Sequence, residues 1–322
     1  MAPNQAYWKY MQGLTPFKLA PYFRTRVWGF NDLSPWYDYK TDGEPIGEVW
    51  LTGEMCTAET GPLTGQSLKE ITTAHGEALL GRGRAGEEFP LLVKVLFPKE
   101  KLSVQVHPDD ALALKYGEPR GKTECWYALD AQPGAEVALG IKPGTPLDEV
   151  RVAIEESRLE ELLACVPVCK GDMIFVDAGT VHAIGPGAVL LETQQTSDLT
   201  YRMYDYGRPR ELHLEKSFEA MRLTTGSGKM TPKNVNGHSI LIDQKYFRVE
   251  RWNDAVPTAE NASADVVQLV FVADAKLRIE GSDFEPFSLD RCQLAVIPAG
   301  ARDWKITPEA AGEVIRILPH HA

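Results

Sequence analysis

The segment KLSVQVHPDD (residues 101–110) shows the alternation of polar and apolar side chains that is typical of a β-strand. Because successive side chains of a strand point to opposite faces, Ser103, Gln105 and His107 share one face. Alone, His107 is more simply a hydrogen-bonded histidine at the end of a strand. Beside Gln105, it places an imidazole nitrogen near an amide oxygen, and we predict that the pair is half of a metal site.

Two later segments supply the ligands that such a site still needs. Glu124 stands in the strand-like run GKTECWYAL, and His182 stands in DAGTVHAIG. Strands that close into a barrel can bring these two side chains together with Gln105 and His107 in the interior. Nitrogen, carboxylate and amide ligands suit a borderline divalent ion and leave positions for water or substrate. We therefore predict one Zn²⁺ per chain.

Three cationic residues also stand in strand-like runs. Lys94 interrupts the apolar run LLVKVLF, and Lys122 precedes Glu124 by two residues, which places both on the same side of a regular strand. Arg202 alternates with polar and aromatic residues in TYRMYDYGR. The simpler alternatives are a lysine that extends to water from a strand edge and a surface arginine. A phosphate-binding P-loop is strongly disfavoured, because GEPRGKT is one residue too short and strand-like residues follow it.

Short strands dominate the remaining pattern. The first 65 residues read as an irregular arm rich in aromatic residues, and a helix is predicted over 67–81, ending at Gly81. From FPLLVKVLF onward, strands are separated by Pro and Gly turns, as in a barrel or sandwich. A helical island at about 145–166 interrupts them, and the polar, glycine-rich residues 224–239 resemble a linker.

A weak internal repeat indicates two copies of one barrel unit. Residues 172–184 (DMIFVDAGTVHAI) and 291–306 (RCQLAVIPAGARDWKI) each contain an apolar strand, an x-Ala-Gly turn and a second strand. Asp303 stands at the position of His182, so the second copy lacks that ligand. We predict a catalytic unit over 1–230, which includes the arm and the helical island, and a metal-free unit over 231–322.

The segment GDMIFVDAGTVHAI resembles the second cupin motif, Gly-x5-Pro-x-Gly-x2-His, with Asp177 in place of proline. Gly179 can still supply a positive φ, and aspartate tolerates a turn. In the first cupin motif a His-x-His pair precedes a glutamate, and here Gln105-x-His107 takes that place. The resemblance implies a mainly β fold of two cupin units, which are jelly-roll β-barrels, with a small helical insertion and an irregular N-terminal arm.

Several motifs in matching order resemble the type I mannose-6-phosphate isomerases, in particular the short bacterial form. They are QVHPDD, GKTECWY, AGTVHAIG and ETQQTSDLTYRMYDYGR, and the resemblance runs from about Ile46 to Arg208, with weaker similarity to the C-terminus. It implies the following site: metal ligands Gln105, His107, Glu124 and His182; catalytic residues Arg202, Lys122 and Glu192; substrate-binding residues Lys94, Glu48 and Asp198. Lys122 and Glu192 are the two contenders for the proton shuttle. The chemistry of Pro108-Asp109-Asp110 stays without a derivation from sequence.

The resemblance implies a metal-dependent aldose–ketose isomerase that interconverts mannose 6-phosphate and fructose 6-phosphate through a cis-enediol(ate). Such a reaction needs a base near C1 and C2, stabilisation of the oxyanion and cations for the phosphate. Two alternatives stay open at this point: a non-catalytic cupin that binds sugar phosphates, and an iron cupin dioxygenase. The glutamine ligand and the cationic residues disfavour the dioxygenase, because an oxygenase does not need cations for a phosphate.

Composition limits the partners. The net charge of −11 argues against binding to nucleic acid, because contact with a phosphate backbone needs a basic surface. Apolar runs are too short to cross a membrane, and the N-terminus MAPNQAYWKYMQGL lacks the apolar core of a signal peptide. We expect a cytoplasmic protein that is a monomer or a weak homodimer, with a small phosphosugar as its substrate. The five cysteines do not suggest a disulfide framework.

Overall fold

Antiparallel strands make up most of the chain, in a computed structural model that describes residues 14–235, 237–253 and 265–320. The strands are β1 (Phe17–Leu19), β2 (Tyr22–Phe30), β3 (Ile46–Thr52), β4 (Leu91–Leu96), β5 (Val104–Val106), β6 (Glu124–Ala131), β7 (Glu136–Ile141), β8 (Leu163–Pro167), β9 (Met173–Val176), β10 (His182–Ile184), β11 (Ala188–Gln195), β12 (Tyr201–Tyr204), β13 (Gly228–Lys229), β14 (Lys233–Val235), β15 (His238–Asp243), β16 (Phe247–Trp252), β17 (Gln268–Val272), β18 (Lys276–Gly281), β19 (Phe284–Leu289), β20 (Leu294–Ile297), β21 (Lys305–Ala310) and β22 (Val314–Pro319). The α-helices are α1 (Leu68–Leu80), α2 (Asp110–Lys115), α3 (Leu147–Glu155) and α4 (Leu214–Ala220), and two 3₁₀ turns span Gly61–Leu63 and Leu159–Leu162.

The strands form two pairs of sheets, and each pair consists of a large and a small sheet. The first pair has the strand orders β13-β9-β6-β11-β4-β3-β2 and β12-β5-β10-β7-β8. The second pair has the orders β1-β20-β17-β22-β16-β15-β14 and β19-β18-β21. Two-layer antiparallel units of this kind are jelly rolls, so the predicted mainly β fold is confirmed.

The two seven-stranded sheets have the same internal order. Strands β2, β3, β4, β6, β9 and β11 of the first take the same places, in the same chain order, as β14, β15, β16, β17, β20 and β22 of the second. The repeat seen in the sequence fits this correspondence, because β9 and β20 lie in the large sheets and the following strands, β10 and β21, lie in the small ones. The molecule therefore contains one β-unit twice.

Both faces of the first large sheet are buried. Val93 and Val95 of β4 belong to a core that also contains Leu269 and Phe271 of the second large sheet. The opposite face lines the interior of the first unit, around Trp126. Burial on both faces explains why β4 reads as the nearly continuous apolar run LLVKVL, and it makes the buried position of Lys94 within that run unusual.

The N-terminal part is more regular than predicted. Residues 1–13 lie outside the described residues, but β1, β2 and β3 all fall within the first 65. β2 and β3 extend the first large sheet, whereas β1 pairs with β20 of the second. The described part of the arm therefore contains three strands, with irregular segments between and after them. Helix α1 matches its prediction, with a capping box between Ser67 and Glu70 and an end at Gly81.

The helical island is shorter than predicted. The α-helix ends at Glu155, and Ser157 then adopts a positive φ of 59°, which an α-helix cannot continue through. A 3₁₀ turn follows, and the residues after it form β8, which pairs with β7. The apolar spacing that suggested one helix therefore covers three short elements.

The predicted division at residue 230 falls between β13, which pairs with β9, and β14, which pairs with β15. β1 crosses this division, so the boundary stays a prediction. Within the described residues, none of the helices has the length and apolar character needed to traverse a bilayer.

Candidate active site

Three buried side chains converge where the two sheets of the first unit meet. Glu124 begins β6, His182 begins β10, and His107 follows β5 directly. The Nε2 atoms of His107 and His182 lie 3.6 and 3.5 Å from the two carboxylate oxygens of Glu124. One ligand atom from each residue can be chosen so that all lie within 4.8 Å of one another, a separation that a single metal ion can bridge.

The polar atoms of this cluster fit a cation. The Nδ1 atom of His182 donates a hydrogen bond to the carbonyl oxygen of Thr180 at 2.9 Å, because a carbonyl can only accept. The ring proton is therefore on Nδ1, and Nε2 has a lone pair available for a metal ion. Among the described residues, neither His182 Nε2 nor Glu124 Oε1 has a hydrogen-bond partner, although both are buried. Burial lowers the pKa of His182 to about 4 and raises the pKa of Glu124 to about 8. A divalent ion would stabilise the ionised carboxylate that burial disfavours.

Gln105 stands beside this cluster. It is the central residue of β5 and is paired in register with His182 of β10 and Arg202 of β12. Val104 and Val106 on either side of it pack into an apolar cluster, whereas Gln105 lines a cavity. The structure thus brings all four predicted ligand residues to one place, and ligation by Gln105 stays a prediction.

The cavity above the cluster has a volume of about 470 Å³. The predicted residues that line it are Glu48, Lys94, Gln105, Lys122, Glu192, Asp198 and Arg202. Two arginines that the sequence did not single out, Arg26 and Arg210, join them. Five cations and three carboxylates therefore line the cavity, an excess of two positive charges in a chain whose net charge is −11. Two of these cations, Lys122 and Arg210, pair with Glu124 and Asp205, which lie outside the lining, so Arg202 is the cation that most favours an anionic ligand.

Lys122 reaches from the cavity wall into the metal-ligand cluster. Its Nζ atom lies 2.8 Å from Glu124 Oε2 and 3.1 Å from His107 Nε2. The same atom lies 3.8 Å from Glu192 Oε1. Lys122 is therefore the cation that connects the predicted metal ligands to the predicted catalytic carboxylate.

Lys94 and Glu192 form a buried ion pair on adjacent strands. Lys94 Nζ lies 3.0 Å from Glu192 Oε2 and 3.9 Å from Glu48 Oε2. Burial opposes ionisation of both partners, but the charges of Glu192 and Glu48 hold the pKa of Lys94 above its ordinary value. In the same way, Lys94 and Lys122 hold the pKa of Glu192 well below its ordinary value against burial. Each charge therefore favours ionisation of the other.

Arg202 differs from the other cations, because its charge has no carboxylate partner. One Nη atom donates to the carbonyl of Glu211 at 2.8 Å, and its buried Nε atom has no hydrogen-bond partner among the described residues. No ion pair of Arg202 occurs in the described ranges. Partial burial, reinforced by the nearby charge of Arg210, lowers its pKa from the ordinary value. The guanidinium therefore has donors free for a ligand.

The sequence interpretation missed Arg26 and two tryptophans that hold the carboxylates. Arg26 donates to both oxygens of Glu48 at 2.9 and 3.0 Å, and Trp50 Nε1 donates to Glu48 at 2.7 Å. Trp126 Nε1 donates to Glu192 at 3.4 Å. Arg24, Arg26 and Trp28 alternate along YFRTRVWGF, a pattern that would have indicated a strand with both arginines on one face. We predicted an irregular arm there instead, whereas the structure has β2.

Known proteins resemble the chain over most of its length. The family model for the catalytic domain of type I phosphomannose isomerase matches residues 16–143. A mannose-6-phosphate isomerase of Bacillus subtilis is 38% identical over 306 residues, which cover 90% of this chain and 95% of that protein. The mannose-6-phosphate isomerase of Streptococcus mutans is 34% identical over 305 residues, which cover 90% and 94% of the two chains.

Solved structures agree with these relatives. The crystal structure of the mannose 6-phosphate isomerase from Bacillus subtilis superposes with a TM-score of 0.82 at 31% identity, covering 94% of this chain and 99% of that one. A phosphomannose isomerase from Salmonella typhimurium, only 15% identical, shares the fold with a TM-score of 0.77 over 96% of this chain and 100% of that one. Sequence identity above 30% over nine-tenths of the chain shows that it belongs to the type I mannose-6-phosphate isomerase family of enzymes.

Proposed function

We propose that the enzyme is a metal-dependent aldose–ketose isomerase that interconverts mannose 6-phosphate and fructose 6-phosphate through a cis-enediol(ate). The observation that carries the proposal is a cavity, lined by Arg202 with no carboxylate partner in the described ranges, that adjoins a buried His–Glu–His cluster. Its volume of about 470 Å³ lies in the range of small-molecule sites. A phosphosugar is the substrate class that matches both the charge and the size.

Gln105, His107, Glu124 and His182 would hold one Zn²⁺ per chain. Bound zinc would polarise the oxygen on C1 or C2 of the sugar, directly or through a water. The support is the set of buried donor atoms that lack protein partners at His182 and Glu124. Mixed nitrogen and oxygen ligands also admit Co²⁺ and Mn²⁺, so metal analysis has to test the zinc assignment.

Arg202 would bind the phosphate or the enediolate oxygen, because its guanidinium has no carboxylate partner in the described ranges and Nε is free for a ligand. Lys94, Glu48 and Asp198 line the same cavity and would bind the sugar. The ion pairs of Lys94 with Glu192 and Glu48 already neutralise its charge, which favours hydrogen bonding to hydroxyl groups over a dominant part in phosphate binding.

Lys122 is the better supported of the two contenders for proton transfer. The neighbouring lysines hold the pKa of Glu192 well below its ordinary value, which makes that carboxylate a weak base. Lys122 Nζ lies between Glu192 and the ligand atoms of Glu124 and His107, at the wall of the cavity that would hold the sugar. We therefore infer that Lys122, in its neutral amine form, accepts the proton from one of the two carbons and returns it to the other, and that Glu192 orients Lys122 and Lys94.

Incubation with mannose 6-phosphate, with and without a chelator, tests the function. Fructose 6-phosphate should form, formation should stop after chelation, and added Zn²⁺ should restore it. Absence of product from the zinc-loaded protein, or undiminished activity after complete metal removal, contradicts the proposal. Bound iron with uptake of oxygen would favour a dioxygenase instead.

Substitution separates the proposed roles. His182→Ala should lose both bound metal and activity, whereas Arg202→Ala should lose activity at unchanged metal content. Lys122→Met should abolish exchange of the C2 proton with solvent, and Glu192→Gln should slow it without abolishing it. Equal exchange in Lys122→Met and the unaltered enzyme would contradict the assignment of Lys122.

The cellular and structural setting is also a proposal. Among the described residues, all five cysteines are free thiols, which suits a reducing cytoplasm. We infer a monomer or weak homodimer with a catalytic unit over 1–230 and a second unit over 231–322. Sedimentation of the enzyme at micromolar concentration tests the oligomeric state, and limited proteolysis tests the boundary.

A further inference from the structure

The Pro-Asp-Asp that follows His107 contacts the loop before β6, the loop that carries Lys122. The carbonyl of Pro108 accepts from the backbone N–H of Lys122 at 3.0 Å. The Oδ1 atom of Asp110 accepts from the backbone N–H of Gly121 at 3.0 Å. Two successive amides of this loop are therefore held by residues next to a predicted metal ligand.

Gln195 extends the contact by one residue. Its side-chain nitrogen donates to Asp110 Oδ1 at 2.9 Å, and its side-chain oxygen accepts from the backbone N–H of Thr123 at 2.9 Å. Asp110, Pro108 and Gln195 together hold three successive amides, those of residues 121–123. The two side chains that the predicted site needs, Lys122 and Glu124, flank the last of these amides.

The loop also lies directly against the Pro-Asp-Asp backbone. A Cβ atom on Gly121 would lie 2.5 Å from the carbonyl carbon of Asp109 and 2.5 Å from the carbonyl oxygen of Pro108. No real Cβ atom approaches backbone so closely, so only glycine allows this contact. Close backbone packing at Gly121, as well as hydrogen bonding, therefore fixes the position of the loop.

The other oxygen of Asp110 connects to the second large sheet. Tyr246, in the turn between β15 and β16, donates its hydroxyl to Asp110 Oδ2 at 2.6 Å, and Lys245 Nζ lies 3.6 Å from the same atom. Partial burial alone would raise the pKa of Asp110, but the hydrogen bonds from Tyr246, Gln195 and Gly121 keep it below the ordinary value. Asp110 is therefore an ionised acceptor that joins the active-site loop to the second unit.

We infer that Asp110 is a positioning residue, which holds residues 121–123 so that Lys122 and Glu124 face His107, and that Tyr246 of the second unit holds Asp110 in turn. The inference rests on the proposed metal site, because it assigns the geometry of one predicted ligand, Glu124. It gives the segment Pro108-Asp109-Asp110 a role and gives the second unit a part in the active site. Asp110 itself does not line the cavity, so it acts through the loop.

Asp109 offers a matched control. Its side chain is 35% exposed and that of Asp110 is 33% exposed, so the two adjacent carboxylates are equally accessible. Asp109 caps α2 through Leu112 and pairs with Arg222, and in the described structure its side chain makes no hydrogen bond or ion pair with residues 121–123. If Zn²⁺ affinity and kcat fall in Asp110→Ala but not in Asp109→Ala, the loss is therefore due to the contacts of Asp110 and not to the removal of one surface carboxylate.

The test measures the affinity of the metal-free protein for Zn²⁺ by competition with a chelating dye, and then kcat and KM of the zinc-loaded enzyme for mannose 6-phosphate. Because loss of residues that support metal ligands commonly costs about 10–100-fold, Asp110→Ala should weaken Zn²⁺ binding and lower kcat by about 10-fold or more, with KM changed less than about 3-fold. Asp110→Asn keeps an oxygen acceptor for Gly121 and Gln195 and should recover most of both losses. Asp109→Ala should change neither quantity by more than about 2-fold.

Tyr246→Phe keeps the test decisive if Asp110→Ala does not fold. It removes a single hydroxyl, and it should weaken Zn²⁺ binding by about 3-fold, less than the loss of Asp110 itself. Unchanged Zn²⁺ binding and kcat in Asp110→Ala or, where that variant does not fold, in Tyr246→Phe would overturn the inference, as would an equal loss in Asp109→Ala. Failure of the unaltered protein to bind Zn²⁺ would contradict the proposed function instead.

Discussion

Charge compensation among buried side chains decides what the cavity can bind. Glu48 is held by Arg26 and Trp50, and Glu192 is held by Lys94, so these carboxylates are neutralised by the protein itself. Arg202 is not compensated in this way within the described ranges. Arg202 is therefore the cation of the lining that is most available to a dianionic phosphosugar.

Replacement of Arg202 by lysine tests this residue. Lysine keeps the charge but loses the planar fork that can hold two oxygens at once, so charge alone should not be enough. We expect Arg202→Lys to lower kcat/KM by about 100-fold or more, in the range found when one donor to a developing oxyanion is removed. Steady-state kinetics on mannose 6-phosphate measure this. Arg208→Lys is the matched control, since Arg208 pairs with Glu100 and Asp205 and does not line the cavity. A similar loss of kcat/KM in both variants would contradict a specific role of Arg202.

The Lys94–Glu192 pair should be coupled energetically. Removing one partner leaves a buried charge, so Lys94→Met and Glu192→Gln should each lower the free energy of unfolding by about 3–5 kcal/mol. The double variant should lose clearly less than the sum, because neither charge then remains unpaired. Urea unfolding of the metal-free protein measures the coupling energy. Additive losses in the double variant would mean that the two charges do not interact.

At the scale of single residues, the sequence could predict which side chains are candidates but not all of their partners. His107, Glu124 and His182 were found because strand alternation and motif spacing are local properties. The Arg26–Glu48 contact depends on the register between β2 and β3, which shifts after Arg24. A shift of this kind depends on packing between strands, and the local pattern does not encode it.

At the scale of elements, the loop before β6 is the most constrained connection of the site. Gly121→Ala tests this, because its Cβ would meet the backbone of Pro108 and Asp109 at 2.5 Å. The loop must move, and we expect a loss of unfolding free energy of about 1–3 kcal/mol together with weaker Zn²⁺ binding. Thermal unfolding and Zn²⁺ titration measure the two effects.

Gly117→Ala is the control in the same loop. Gly117 has a φ of +80° but nothing lies within 4 Å of its would-be Cβ. The substitution should therefore cost about 1–2 kcal/mol through backbone strain alone and leave Zn²⁺ binding unchanged. Equal Zn²⁺ affinity in both variants would show that the close approach at Gly121 does not position the loop.

Elements were predictable where local chemistry defines their ends. Helix α1 has its capping box and its terminal glycine in the sequence, and both are present in the structure. The prediction of one helix over 145–166 was wrong, although the apolar residues there satisfy helical spacing. Ser157 adopts a positive φ that ends the helix, and β8 forms its hydrogen bonds with β7. Such pairing with a distant strand outweighs local propensity.

At the scale of the whole molecule, the two units share a fold but differ in charge pattern. In the first large sheet Lys94 of β4 pairs in register with Glu192 of β11. At the corresponding place in the second, Glu250 of β16 pairs with Arg316 of β22, so the signs are exchanged. The repeat in the sequence made two units predictable, whereas the exchanged ion pair could be recognised only from strand order and register.

The two large sheets share one core, and this predicts that the units unfold together. Phe271 of β17 is fully buried in the same apolar cluster as Val93 of β4 and Leu191 of β11. Phe271→Ala would leave a cavity between the sheets, so we expect the free energy of unfolding to fall by about 3–5 kcal/mol. Calorimetry of the metal-free protein should show one transition at a lower temperature, because the cavity lies in a core that belongs to both units.

Leu223→Ala is the control for this substitution, because that side chain is 54% exposed and its truncation should leave the transition nearly in place. Separate transitions for the two units, with Phe271→Ala moving only one of them, would contradict a common core. A single shifted transition would instead mean that the second unit stabilises the sheet that carries Lys94, Glu124 and Glu192. Substitutions such as Phe271→Ala, which remove packing in the second unit, would then lower the temperature at which the enzyme loses activity. They would do so although no residue that lines the active-site cavity is changed.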